Sequence, residues 1–135
     1  MNEEKNVDVV KRLFDAFGRG DIPAAMELFD EEIDSKSPVV RTTHTTLTWA
    51  HPRRGHQEVM QFFSEMAAKV APEPFEVVNI IAQGDQVAVE GRNKGTVRST
   101  DKRFEHDWVM IFSLKDGKIT RCYHYYDSAD ILAAF

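Results

Sequence analysis

The last third of the chain, from Phe104 to Asp127, constrains the fold more than any other stretch. It reads FEHDWVMIFSLKDGKITRCYHYYD. Two β-rich runs flank Lys115-Asp116-Gly117, a turn signal, and so predict an antiparallel hairpin. Inside the runs sit His106, Asp107, Trp108, Tyr123, His124, Tyr125, Tyr126 and Asp127. An ordinary edge hairpin does not collect so many polar aromatic and titratable groups. The density suggests a wall that lines a cavity. It points to an architecture before it points to a substrate.

The rest of the composition narrows the class. A chain of 135 residues fits one domain, 1–135. Its hydrophobic fraction of 42% and charged fraction of 29% suit a globular protein with a real core. The net charge is −5 and Arg53-Arg54 is the one basic pair, so no nucleic-acid partner is expected. No run approaches the roughly 18 apolar residues of a membrane span. The first residues, MNEEKNVDVV, are acidic and polar and do not read as a secretory signal. The single cysteine, Cys122, cannot form an intrachain disulfide, which makes a cytoplasmic setting the expectation.

Helical and alternating patterns divide the chain. Val9, Val10, Leu13, Phe14 and Phe17 recur at helical spacing, with Lys11, Arg12 and Asp15 between them. Gly18-Arg19-Gly20 ends that helix. Asp21 can cap a second helix with Pro23 in its first turn. A strand is expected near Ile33 to Val40. Thr42, Thr43, Thr45, Thr46 and Thr48 favour extended backbone, because β-branched side chains are stiff at χ1. A third helix runs from about Gly55 to Val70, and Pro72 and Pro74 prevent its continuation. Strands follow at about 75–82, 86–97, 103–114 and 118–127. Ser128 can cap a last short helix. Helices segregated to one side of an antiparallel meander define an α+β domain.

At this level of order and spacing the chain resembles the ketosteroid-isomerase-like, or nuclear-transport-factor-2-like, superfamily, and within it the SnoaL-like (polyketide cyclase-like) branch. The pieces that carry the resemblance are AFGRGDIPAAMELF at 16–29, GHQEVMQFF at 55–63, AQGDQVAVEGRNKGT at 82–96, DGKI at 116–119 and YYD at 125–127. The resemblance implies a cone: a curved, mostly antiparallel sheet wrapped around the three helices of the N-terminal half, with a central pocket at the open end. It also implies a homodimer through the outer sheet surface. The isomerases' chemistry rests on a tyrosine, an aspartate base and a protonated aspartate. Matched on Gly20-Asp21, those positions fall on Leu13, Ser37 and a residue near Met110, so that mechanism is disfavoured. The cyclases' acid–base aspartate matches His124.

The hairpin register decides which side chains share the pocket. A three-residue loop at Lys115-Asp116-Gly117 pairs Leu114 with Lys118, Trp108 with His124 and His106 with Tyr126. A two-residue Asp116-Gly117 turn shifts the partners by one and brings Asp107 onto the face of His124. The three-residue loop is preferred, since a type I turn with glycine in αL is common there and agrees with the family parity. The same counting through 98–102 sets Glu90, Arg92 and Lys94 opposite Met110, Trp108 and His106. The expected catalytic residues are therefore His124, His106 and Tyr126. The expected ligand-binding residues are Trp49, Glu90, Arg92, Trp108 and Met110, with Trp49 closing the mouth.

Each residue also has a plainer reading. Histidine is suited to proton transfer near neutral pH, yet a buried histidine can simply be satisfied by one hydrogen bond. Tyr126 can meet a ligand oxygen or anchor its hydroxyl at a sheet edge. Tryptophan stacks on flat ligands but more often belongs to a core. Glu90 and Arg92 can instead be a solvated surface pair. The five histidines, at 44, 51, 56, 106 and 124, show no HxH or HExxH pattern, so no metal is expected, and no motif calls for a cofactor. Two functions fit: an acid–base isomerase, cyclase or hydrolase of a small hydrophobic substrate, or a non-catalytic ligand-binding or dimerisation module.

Overall fold

The computed structural model describes residues 2–39 and 47–135. Val40, His44 and the threonines 42, 43, 45 and 46, for which extended backbone is expected, lie outside the described residues. The chain folds as α1 (Asn2–Gly18), α2 (Ile22–Glu27), β1 (Phe29–Lys36), β2 (Arg53–Arg54), α3 (Gly55–Lys69), β3 (Val70–Pro72), β4 (Glu76–Gln83), β5 (Gln86–Val97), β6 (Lys102–Lys115), β7 (Lys118–Tyr126) and α4 (Ser128–Ala134). A 3-10 turn covers Thr48–Ala50. The seven strands form one sheet, ordered β2-β1-β7-β6-β5-β3, with β4 also paired to β5. Every described pairing is antiparallel except β1 with β7. The sheet curls into a half-barrel over the helices, the α+β cone that the order of elements implies. No helix among the described residues is long and apolar enough to cross a membrane.

Local chemistry sets the helix ends. α1 buries Val9, Val10, Leu13 and Phe14, one turn apart along a single stripe. Gly20 takes a positive φ of 69° after it. The Asp21 carboxylate then accepts the Ala24 N–H at 3.1 Å and caps α2. β1 begins at Phe29, earlier than expected, and buries Phe29 and Ile33 with the acidic run Asp30, Glu31 and Glu32 between them. The final helix is capped by Asp127, whose Oδ1 accepts the Asp130 N–H at 3.1 Å, and not by Ser128.

Two apolar clusters fill the interior. The larger joins α1 and α2 to the inner sheet face through Leu13, Phe14, Ile33, Val87, Val89, Trp108, Phe112 and Ile119. Full burial of such side chains contributes about 1.5–3 kcal/mol each. The smaller lies under α4 and holds Leu47, Trp49, Val70, Val97, Phe104, Ile131 and Ala134. Trp49 is only 2% exposed, and its ring lies 5.1 Å from that of Phe135. It is a core residue there, which corrects its expected place at a pocket mouth. Arg53, also buried, ties this region together by donating to the Trp49 carbonyl at 3.1 Å and to Glu65 Oε1 at 3.2 Å.

The register departs from expectation in two places. Lys115 pairs with Lys118, so the turn has two residues, Asp116 and Gly117, both at positive φ (51° and 78°). Such turns match the twist of the flanking strands. A bulge then intervenes, since Leu114 faces Ile119 but Ser113 faces Arg121. The extra residue, Thr120, donates its hydroxyl to the Ser113 carbonyl at 3.2 Å. The bulge restores the expected face but not the expected partners: Trp108 pairs with Tyr126 and Met110 with His124. On the other side Val97 pairs with Lys102 across a four-residue turn, where Asp101 has φ 59°. That is one residue off the expected count, and it turns every β5 side chain to the opposite face.

Candidate functional site

The corrected register builds the inner face row by row. Val87, Phe112 and Cys122 form one row; Val89, Met110 and His124 the next; Gly91, Trp108 and Tyr126 the third; and Asn93 stands beside His106. Glu90 and Arg92, expected as ligand-binding residues, leave the site. They pair with Val109 and Asp107 on the outer face. Arg92 lies 3.4 Å from Asp107 and 3.9 Å from Glu76, with all three side chains exposed, an arrangement that contributes little. Val89 and Gly91 take the places that Glu90 and Arg92 were expected to hold, and Asn93 takes that of Lys94. Asp107 is thereby fixed on the outside.

His124, His106, Tyr126, Trp108 and Met110 do come together. The rings of His124 and Tyr126 are 4.6 Å apart, and those of His106 and Tyr126 are 6.0 Å apart. Trp108 meets His124 edge-on at 6.1 Å and stacks on Phe14 of α1 at 5.6 Å. One wall of the cluster is thus aromatic and rigid, held by the first helix.

The electrostatics divide the three polar groups. His124 is half-buried as a residue, but its Nε2 is sealed from solvent and has no hydrogen-bond partner among the described residues. Burial, reinforced by the neighbouring His106, pushes its pKa down to about 3. At neutral pH it is an uncharged imidazole with one N–H and one lone pair. It is a poor proton acceptor and a good neutral hydrogen-bonding group. Burial likewise raises the Tyr126 pKa, against an opposing influence of the Ser37 side chain. Tyr126 and Ser37 are neighbours, yet no well-formed hydrogen bond joins them, and the Tyr126 hydroxyl has no partner among the described residues. Cys122, one row away, is pushed up to about 12 by burial and is an inert thiol.

His106 differs. It is 8% exposed, stacks on Phe104 with centroids 5.5 Å apart, and places Nδ1 3.0 Å from Asp130 Oδ2 of α4. Sequence reasoning missed Asp130. The only signal was its place three residues after the α4 cap Asp127, which reads as helix chemistry. Asn93 was missed because the β5–β6 turn length hid its face.

Other candidates are less organised. A groove of about 400 Å³ lined by Glu27, Phe29, Asp30, Glu31, His56 and Lys118 shares no residue with the imidazole cluster. Its His56 is engaged with the Phe29 carbonyl at 2.9 Å. Among the described residues, no three His, Cys, Asp or Glu side chains converge to hold a metal ion.

A curled half-barrel closed over helices, with a polar patch on its inner wall, defines the class of cone-shaped α+β domains. Within that class the chain belongs to the SnoaL-like domain family, whose model matches residues 10–122. Solved structures agree in fold. An NTF2-like protein from Burkholderia xenovorans LB400 shares 29% identity, with 98% of this chain and 96% of that one covered and a TM-score of 0.82. A candidate polyketide cyclase from Xanthomonas campestris pv. campestris shares 18%, with 99% and 98% covered and a TM-score of 0.79. A protein with a ketosteroid isomerase-like fold from Catenulispora acidiphila DSM 44928, solved in complex with trimethylamine, shares 15%, with 93% and 90% covered and a TM-score of 0.77. No functionally curated protein matches the chain.

Proposed function

We propose that this protein binds a small, largely apolar organic molecule at the inner wall around His124, Tyr126 and His106, and moves a proton on it. The observation that carries the reading is the pair of buried polar atoms, His124 Nε2 and the Tyr126 hydroxyl, without partners among the described residues. Leaving such atoms unsatisfied costs about 1–3 kcal/mol each, so folded proteins keep few of them. A ligand oxygen would satisfy both. In this reading His106 accepts the proton, and Tyr126 with neutral His124 donates to the oxygen on which negative charge develops. Isomerisation, cyclisation and hydrolysis all fit that division of roles. The structural relative in complex with trimethylamine supports a small-molecule role for the fold. The low pKa of His124 supports a second reading, a binding module in which no proton moves.

The test is a ring-signal NMR titration with a panel of small carbonyl compounds, acetophenone first. The signals of His124 and Tyr126 should shift, while those of Tyr125 on the outer face stay still. Tyr126→Phe should weaken binding of the best probe about tenfold, the effect of roughly one lost hydrogen bond. If no compound in the panel moves either ring, the reading fails.

The outer face supports the homodimer. Ile81, Ala88, Ile111 and Tyr123 form a continuous row across four strands, beside a second row containing Val109 and Tyr125. Ile81 is 61% exposed and Val78 48%. Contiguous apolar surface of this kind marks association sites. Sedimentation should show a dimer, and an Ile81→Lys, Ile111→Asp double variant should sediment as a folded monomer. An unchanged sedimentation coefficient in that variant would place the contact elsewhere. The lone cysteine is in keeping with a cytoplasmic setting.

A further inference from the structure

We infer that Asp130 is a positioning residue, holding His106 as the Nδ1–H tautomer and making the docking of α4 a condition for a competent site. The inference rests on the proposed function, in that it says how His106 would be prepared for proton transfer. Asp130 Oδ2 accepts two hydrogen bonds at once, from the Glu105 backbone N–H at 3.0 Å and from His106 Nδ1 at 3.0 Å. A carboxylate only accepts, so Nδ1 carries the hydrogen and the Nε2 lone pair is left as the basic site of the neutral ring. The Glu105 contact fixes the carboxylate against the β6 backbone. The Asp127 cap fixes the Asp130 backbone in the first turn of α4. Stacking on Phe104 fixes the ring plane.

The surroundings leave Asp130 as the orienting group. Among the described residues, those facing His106 from other elements are Asn93 of β5 and Tyr126 and His124 of β7, besides Asp130 of α4. Of these, Asp130 carries the only carboxyl group, and His124 is held neutral. The helix is also packed against the sheet. Ile131 and Ala134 enter the smaller core, and the Ala134 carbonyl accepts the Thr100 hydroxyl. An imidazole on β6 thus depends for its tautomer on a separate element that follows the last strand.

Long-range proton–nitrogen correlation spectra of the histidine rings test this without any substrate. In its neutral form the wild-type His106 ring should show a protonated Nδ1 and a bare Nε2. Asp130→Ala should convert the ring largely to the Nε2–H form that free imidazole side chains favour. Asp130→Asn, whose amide oxygen can still accept, should keep Nδ1–H. A wild-type ring protonated on Nε2 overturns the inference, as does an Asp130→Ala ring that keeps Nδ1–H or an Asp130→Asn ring that loses it. The wild-type spectrum decides alone if the alanine variant does not fold. The outcome is separable from the ligand titration. A silent titration beside an Nδ1–H signal removes the binding reading only, whereas a normal titration beside an Nε2–H signal removes only the role of Asp130.

Discussion

A Gly91→Ala chain is expected to lose about 3 kcal/mol of stability, a large cost for one methyl group, because the space it needs is already full. A Cβ at Gly91 would sit 2.3 Å from Cζ2 and 2.6 Å from Cη2 of the Trp108 indole, and 2.6 Å from the Glu76 carbonyl oxygen. The backbone conformation is ordinary, so the effect is purely steric. Gly91 and Trp108 face each other across the β5–β6 ladder. The missing side chain on one strand is what lets the indole lie over the sheet, stack on Phe14 and present an edge to His124. The clash can therefore be relieved only by moving the wall of the site or the β4 backbone. Urea unfolding should show the loss as a lower midpoint at unchanged slope. Trp108→Leu in the same chain should recover part of it, since the Glu76 contact remains, and a double-mutant cycle would measure the coupling. Gly18→Ala is the control. Its Cβ would meet only Phe75 at an ordinary 3.9 Å, and no destabilisation is expected. Equal stability of Gly91→Ala and wild type would mean that the indole does not lie where it is described.

This geometry also shows how far sequence reading reaches. The fold was legible because its signals are local: helical spacing over Val9 to Phe17, the Gly20-Asp21 stop and cap, the change to alternation after Pro74, and the Asp116-Gly117 turn. The face shared by His106, Trp108, Met110, His124 and Tyr126 was legible too, though through two compensating differences. The turn is one residue shorter than expected, and Thr120 bulges out of β7 to restore the parity. Nothing in the residues KITRC announces a bulge, because threonine is at home in a regular strand. No compensation occurs at 98–101, where the turn, with Asp101 at positive φ, is one residue shorter than the expected loop at 98–102. Glu90 and Arg92 were therefore expected on the wrong face. Trp49 and Asp130 escaped for another reason. Their neighbours are distant in the chain, Phe135 and His106, and periodicity carries no information about contacts between separate elements.

Acidification should destabilise the protein from about pH 6.5 downward, through His124. In the unfolded chain this imidazole takes a proton near its ordinary value of 6.5, while in the folded chain it does so only near 3. Between those values the unfolded state holds the extra proton, so stability falls as pH falls. Above 6.5 both states are neutral and the residue contributes no pH dependence. The expected slope is on the order of 1 kcal/mol per pH unit across that window, levelling off near 3, where the folded ring also protonates. Carboxylates titrate in the same range, so the quantity to measure is a difference. Urea midpoints of wild type and His124→Phe should be compared from neutral pH to about pH 4. The variant should lack this component, and the two curves should diverge steadily below pH 6.5. At neutral pH the variant should be more stable by about 1 kcal/mol, because a buried nitrogen without a partner has been replaced by carbon. It should also lose the probe binding that defines the site. Parallel curves would show that the ring reaches solvent in the folded state. Divergence, with binding lost and stability gained, would explain why so poorly solvated a group stands beside Tyr126. An uncharged hydrogen-bonding nitrogen in an apolar wall costs the fold something at every pH, and under the proposed function contact with a ligand atom would offset that cost.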